Sequence, residues 1–490
     1  MSAVEKGDGR PPGRNASPTL SPTPVPLTPL EEAVARTLRP RGEELAALAK
    51  AREGLVAAAQ AEAARRGLPL KRALVAGSAA RETYLPIEAG GRLDMDLFML
   101  FDPSIPREQL ARQGLELAGA LLQSPEKRYA EHPYLRGTYA GFAVDAVPGY
   151  QVERSDRPQT AVDRTPFHHA FLSPRLTPEL RDHIRLLKRF LKTLGIYGAD
   201  ARTEGCSGYL VELLIVRYGS LGACLRDARG WRIPQRLCPP GPEPSVSEEV
   251  ALVLPDPVDA HRNVASALSR RNLGLLITAA QVYGEKPRRE FFLPPKVPVP
   301  SEEELRSQLK ARGTEVVALR FSSPDLVDDI IYPQLRKCER ALAAPLERWG
   351  YQVLGTASAR VDREAAIVVE IDRRELGPTM PHPGPPVGAR EAANFYAKWG
   401  RPSEARVAGP YVTPEGRLQV DVRRATRDAV KLLQRELPNL GFGKSLQKAV
   451  VQGADLAYWP EAPSSPALLE ALRALWTKGF PWDGWPPAVP

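Results

Sequence analysis

The sequence predicts an α+β protein of several domains, and three observations carry that prediction. Between residues 72 and 147, short apolar strands alternate with helical stretches. Residues 151–285 read mainly as helices. Beyond a proline-rich linker, a strand–helix–strand–strand order returns at 315–371. A chain of 490 residues has room for three or four domains, and its 43% apolar content is enough for real cores.

The elements follow in chain order. The first thirty residues hold seven prolines among Ser, Thr and Gly, so 1–29 is expected to be a disordered tail. Residues 30–66, rich in Ala, Leu, Glu and Arg, read as helix. A strand at 72–76 runs into Gly77-Ser78, read as the turn from strand into loop. A strand at 93–101, a helix at 107–122 and a strand at 139–147 ending in Pro148 complete a domain over 30–150. Helices at 180–193, 208–218 and 259–282 make 151–292 a helical domain. After the linker at 293–300, strand 315–321, helix 325–348 and strands 351–354 and 365–371 have the order of a small RRM-like layer over 301–376. The remainder, 377–490, mixes Pro/Gly loops with a helix at 390–399 and strands near 411 and 418–422.

Composition excludes several classes. Cys206, Cys224, Cys238 and Cys338 show no CxxC pairing and no His cluster, which argues against a zinc site or a disulfide framework. No apolar run approaches the roughly 18 residues that span a bilayer. A soluble, cytoplasmic protein with no membrane partner is expected. A net charge of +9 suits a polyanionic partner.

The chemistry concentrates in one constellation: Gly77-Ser78-x-x-Arg81-x-Thr83, then Leu93-Asp94-Met95-Asp96-Leu97-Phe98. Residues two apart on a strand face the same way, so Asp94 and Asp96 project together while Met95 and Leu97 turn inward. Two adjacent carboxylates repel each other unless a cation neutralises them, and hard oxygen donors favour Mg²⁺. Asp145, alone in the apolar stretch 141–148, is costly to bury unless it is paired or binds metal. On a neighbouring strand it completes a three-carboxylate cage that suits phosphoryl transfer. Gly77 allows close backbone approach to a phosphate, Ser78 offers a hydroxyl and an amide, and Arg81 adds fixed charge.

With these residues the sequence resembles the DNA polymerase β-like nucleotidyltransferase superfamily. Further motifs narrow the resemblance to the archaeal, class I CCA-adding enzymes: Asp163-Arg164-Thr165-Pro166-Phe167-His168, Arg185-Leu186-Leu187-Lys188, Gly195-Ile196-Tyr197-Gly198 and Gly205-Cys206-Ser207-Gly208-Tyr209-Leu210-x-Glu212. Asp256-Pro257-Val258-Asp259-x-x-Arg262-Asn263, Tyr332-Pro333-Gln334-Leu335, Gly384-Pro385-Pro386-Val387 and Gly409-Pro410-Tyr411 also fit. The likeness runs from about residue 32 to about 450. It implies a nucleotidyltransferase head, a helical neck, an RRM-like body and a C-terminal tail.

The resemblance also implies roles. Asp94, Asp96 and Asp145 would hold Mg²⁺ as the catalytic carboxylates. Gly77, Ser78, Arg81, Thr165, His168, Lys188 and Tyr197 would bind the triphosphate of CTP or ATP, and Arg262 the incoming base. Many archaeal relatives have Glu where this chain has Asp94. The implied reaction adds C, C and A to the 3′ end of tRNA, gripped by its acceptor and TΨC stems; a homodimer is compatible with the family. Arg320, Arg336, Arg373, Arg374, Arg423, Arg424 and Lys444 are candidate phosphate contacts. Two alternatives stay open: a poly(A) polymerase or oligoadenylate synthase, and a catalytically inactive RNA-binding relative. The motifs at 163–168 and 205–214 argue against the first, the intact carboxylates against the second.

Overall fold

A computed structural model of the chain describes residues 25–91, 93–129, 133–239, 241–296 and 298–484. The tail expected at 1–29 lies outside the described residues as far as residue 24. The described chain is mixed α+β and divides into two compact units, residues 25–295 with 481–484, and residues 296–480.

In the first unit, α1 (Pro29–Leu38) starts at a reciprocal capping box between Thr28 and Glu31. Pro40 then separates α1 from α2 (Gly42–Arg65). One sheet holds β1 (Leu70–Ala76), β2 (Asp94–Phe101), β3 (Gln123–Tyr129), β4 (Pro133–Tyr139) and β5 (Phe142–Tyr150), in the order β1-β2-β5-β4-β3. α3 (Gly77–Arg81) follows β1 directly, where a loop was expected. α4 (Arg107–Leu121) crosses from β2 to β3. Met95, Leu97 and Met99 of β2 and Val144 and Ala146 of β5 pack with Leu55 and Ala59 of α2 and Leu117 of α4. That packing turns the alternate residues of β2 and β5 outward.

Two differences from the sequence expectation have local causes. The single strand at 139–147 is a hairpin, because Ala140 and Gly141 both take positive φ, +49° and +84°. β5 then runs through Pro148, which lies beyond Ala146, the last residue paired with β4. A strand with a partner on one side tolerates proline there. β3 was missed because Gln-Ser-Pro-Glu-Lys-Arg carries no apolar alternation; it is a sheet edge.

α5 (Thr165–Leu172), α6 (Pro178–Thr193), α7 (Gly208–Tyr218), α8 (Leu221–Ala228) and α9 (Arg270–Glu285) share a second core with α1. Short strands lie between α8 and α9: β6 (Gln235–Arg236) pairs with β7 (Leu252–Val253), and β8 (Pro255–Asp256) with β9 (Asp259–Asn263). The helix expected from 259 therefore begins only at Arg270. Asp256 accepts from Val258 N, Asp259 from His261 N, and Asn263 Oδ1 from Leu254 N and Ala265 N. Such side-chain bonds compete with helix formation. Trp482 stacks on Phe291 at 4.9 Å, so residues 481–484 belong to this unit.

The second unit starts with α10 (Glu302–Arg312), β10 (Glu315–Ser322), α11 (Asp328–Trp349), β11 (Val353–Val361) and β12 (Glu364–Ile371). β13 (Thr379–Pro386), α12 (Glu391–Trp399), β14 (Arg406–Val412) and β15 (Arg417–Arg423) follow. α13 (Ala429–Glu436), α14 (Gln447–Gly453), β16 (Asp455–Trp459) and α15 (Pro466–Trp476) end it. The strand–helix–strand–strand layer gains its fourth strand from β16, in the order β11-β12-β10-β16. Val317, Leu319 and Phe321 face α11, while Val316 and Ala318 face α15. The Gly384-Pro385-Pro386 stretch, read as a loop, ends the edge strand β13 of a separate sheet, β13-β15-β14.

Candidate active site

The site lies where β1 ends, beside β2 and β5. β2 and β5 run parallel with Asp96 opposite Asp145 and Asp94 opposite Ala143. All three carboxylates therefore face the same way. Burial, then the charges of Asp145 and Asp94, pushes the Asp96 carboxyl up to about 7. Gly77 approaches this cluster with φ +75°, and a Cβ there would lie 2.1 Å from Asp96 Oδ2. Only glycine fits that turn.

Among the described residues, no three His, Cys, Asp or Glu side chains meet as a finished metal site. A guanidinium lies beside the three carboxylates. Arg136 Nη2 donates to Asp94 Oδ1 at 3.0 Å, and Nη1 lies 3.6 Å from Asp145 Oδ2. Hard oxygen donors already spanned by a cation fit a divalent metal ion.

A cleft of about 310 Å³ opens from Asp96 and Phe98 and brings together most residues expected to bind nucleotide: Gly77, Ser78, Arg81, Thr165, His168, Lys188 and Tyr197. Its wall is an ion-paired network. Arg81 donates to Glu212 Oε2 at 2.7 and 2.9 Å, and Thr83 Oγ1 to Glu212 Oε1 at 2.5 Å. Lys188 Nζ donates to Thr83 O at 2.9 Å and lies 3.8 Å from Glu212. Burial pushes the Lys188 ammonium down to about 8 against the pull of Glu212. Burial also raises the Tyr197 phenol. Gly208 stands 3.2 Å, at its would-be Cβ, from Tyr197 Oη, so even alanine would crowd the ring.

A second network carries the other motifs. Asp256 accepts from Tyr209 Oη at 2.9 Å and Arg262 Nη1 at 2.8 Å, with His168 Nε2 at 2.8 Å. Burial opposes ionisation of Asp256, yet the His168 contact and bonds from Val258 N and Tyr209 hold its carboxyl below the usual range. Asp163 is fully buried and accepts from Tyr150 N, Gln159 N, Thr160 N and Thr160 Oγ1. It braces the segment after β5. Arg164 pairs with Asp259 at 2.8 Å.

Arg262 stands apart from the other expected ligands. It is on β9, outside the cleft lining, and borders a neighbouring cavity with Ser245, Ser247, Asn263, Ser266 and Arg270. Its link to the cleft runs through Asp256 and His168. In the second unit, some candidate RNA contacts are held internally: Arg374 by Glu461 at 2.7 Å, Arg320 by Asp455 and Arg424 by Trp349 O.

Sequence reasoning named Glu212 and Asp256 within motifs without giving them a role, and did not name Arg136. Glu212 carried a signal, a carboxylate between Val211 and Leu213 on an apolar helix. Arg136 carried none, since its strand lacks alternation.

Comparison with known proteins follows the same division. Residues 182–293 match the family model of the tRNA nucleotidyltransferase second domain, and 312–457 that of the CCA-adding enzyme C-terminal domain. The CCA-adding enzyme of Haloarcula marismortui is 38% identical over 85% of this chain and 91% of its own length. That of Halobacterium salinarum is 37% identical over 86% and 92%, and that of Archaeoglobus fulgidus 41% identical over 63% and 69%. On this relationship, the chain belongs to the CCA-adding enzyme family of tRNA nucleotidyltransferases.

Proposed function

We propose that this chain adds C, C and A in turn to the 3′ end of tRNA, from CTP and ATP, releasing pyrophosphate without a nucleic-acid template. The observation that carries this reading is the cleft in which Gly77, Ser78, Arg81, Thr165, His168, Lys188 and Tyr197 converge beside Asp96. Asp94, Asp96 and Asp145 would hold Mg²⁺, which when bound supplies charge neutralisation at the reacting oxygens. Arg81 and Lys188 present positive charge to the triphosphate, and the Ser78 hydroxyl and amide can donate to its oxygens. Tyr197 offers a ring face and Gly208 the room beside it.

Little covalent work falls to the protein, so positioning and charge carry catalysis. Arg262, oriented by Asp256, has a donor fork suited to the ring nitrogen that C and A both present as acceptor. The acceptor and TΨC stems are the part of tRNA expected to dock, because A-form RNA is read through backbone and 2′-hydroxyls. The protein is expected to act in the cytoplasm.

The test supplies tRNA lacking its CCA end with labelled CTP and ATP, singly and together, in Mg²⁺. Products three nucleotides longer, and no more, are expected. A ladder of long A-tails would identify a poly(A) polymerase instead.

A further inference from the structure

The carboxylate cluster has a cation of its own. Arg136 on β4 lies directly cross-strand from Asp145 on β5, so both project from the same face of the sheet. Its guanidinium reaches over β5 to Asp94 on β2, at 3.0 Å, while remaining 3.6 Å from Asp145. A planar fork can serve two carboxylates that a single ammonium would serve less well. The next residue, Gly137, fixes the strand: a Cβ there would meet Gln123 O at 2.7 Å and Leu122 Cβ at 2.9 Å. The three side chains are only 17–21% exposed, so water screens them poorly.

We propose that Arg136 is a built-in counter-cation for the Asp94–Asp145 pair, displaced when a divalent ion binds there. This rests on the reading of Asp94, Asp96 and Asp145 as metal ligands. Without a metal, the guanidinium offsets carboxylate repulsion and keeps β2, β4 and β5 in register. With a metal, the same oxygens turn to the ion. Arg136 is a positioning residue in this scheme: it sets how strongly an ion must compete to enter.

The experiment titrates Mn²⁺ into the full chain without nucleotide or RNA, following the free ion by electron paramagnetic resonance. Thermal midpoints are recorded in EDTA and in saturating Mn²⁺. Arg136→Gln should bind Mn²⁺ about tenfold more tightly than the parent, the size of a typical coupling between two competing partners. Its midpoint should fall below the parent's in EDTA and equal it in Mn²⁺. Arg136→Lys, which keeps the charge and loses the fork, should lie between. Unchanged Mn²⁺ affinity in Arg136→Gln, or the same midpoint loss in both conditions, would overturn the proposal and leave a purely structural arginine. A parent that binds no Mn²⁺ would overturn the ligand reading itself.

Discussion

The two sides of the cleft treat charge in opposite ways. On the sheet side, Asp94, Asp96 and Asp145 share one face, and the Arg136 guanidinium reaches two of them. On the helical side, each named carboxylate has its cations or donors: Glu212 with Arg81, Thr83 and Lys188, Asp256 with His168, Tyr209 and Arg262. Carboxylates gathered on one face are suited to receiving a cation. Paired charge on the other is suited to holding shape. Substitutions should separate accordingly, losing turnover on the sheet side and stability on the helical side.

The largest effect should come from Asp145→Ala. Nucleotide addition should fall by at least about 10³-fold, because a charged ligand leaves the reacting centre, while circular dichroism stays at the parent's. Near-normal turnover in Mg²⁺ would break the comparison on its functional side. Next comes Glu212→Ala, which leaves Arg81 and Lys188 buried without their carboxylate. Denaturant unfolding should show a loss of about 3–5 kcal/mol; a loss below 1 kcal/mol would mean the wall is not held by this charge.

Asp163→Ala removes the acceptor of four donors and should cost about 2–4 kcal/mol in the same assay. An unchanged midpoint would remove its bracing role. Arg262→Ala should narrow the ratio of catalytic efficiencies, CTP to UTP, by about tenfold, the worth of ~1.4 kcal/mol. An unchanged ratio would leave Arg262 outside base choice, at most a partner of Asp256.

The same contrast explains what the sequence revealed. Asp94 and Asp96 were legible because the first four residues of β2 alternate, and Asp145 because it stood alone in an apolar strand. Gly77, Ser78 and Arg81 followed from their spacing. Lys188 and His168 rested on family resemblance alone, because their partners Glu212 and Asp256 lie 24 and 88 residues away in the chain, and such pairings leave no local pattern. Arg262 was assigned to a helix because apolar spacing after residue 264 is helical, whereas backbone amides donating to the Asp256, Asp259 and Asn263 side chains had already turned the chain into a hairpin. The layer at 315–371 was legible in its local order, but its fourth strand, β16, arrives from 84 residues beyond β12.

Asp96→Asn tests the account most directly, because it sets function against stability at one atom. The Asp96 carboxyl, pushed up to about 7 by burial and its two neighbours, holds its proton more tightly folded than unfolded. Its ionisation therefore costs stability, and that loss grows as pH rises from about 4 through 7. Nucleotide addition and the thermal midpoint would be measured together, the latter in EDTA at pH 8. The account predicts that turnover is lost while the midpoint equals or exceeds the parent's, by about 1–2 °C for each kcal/mol regained. Retained turnover, or a midpoint clearly below the parent's, would contradict it.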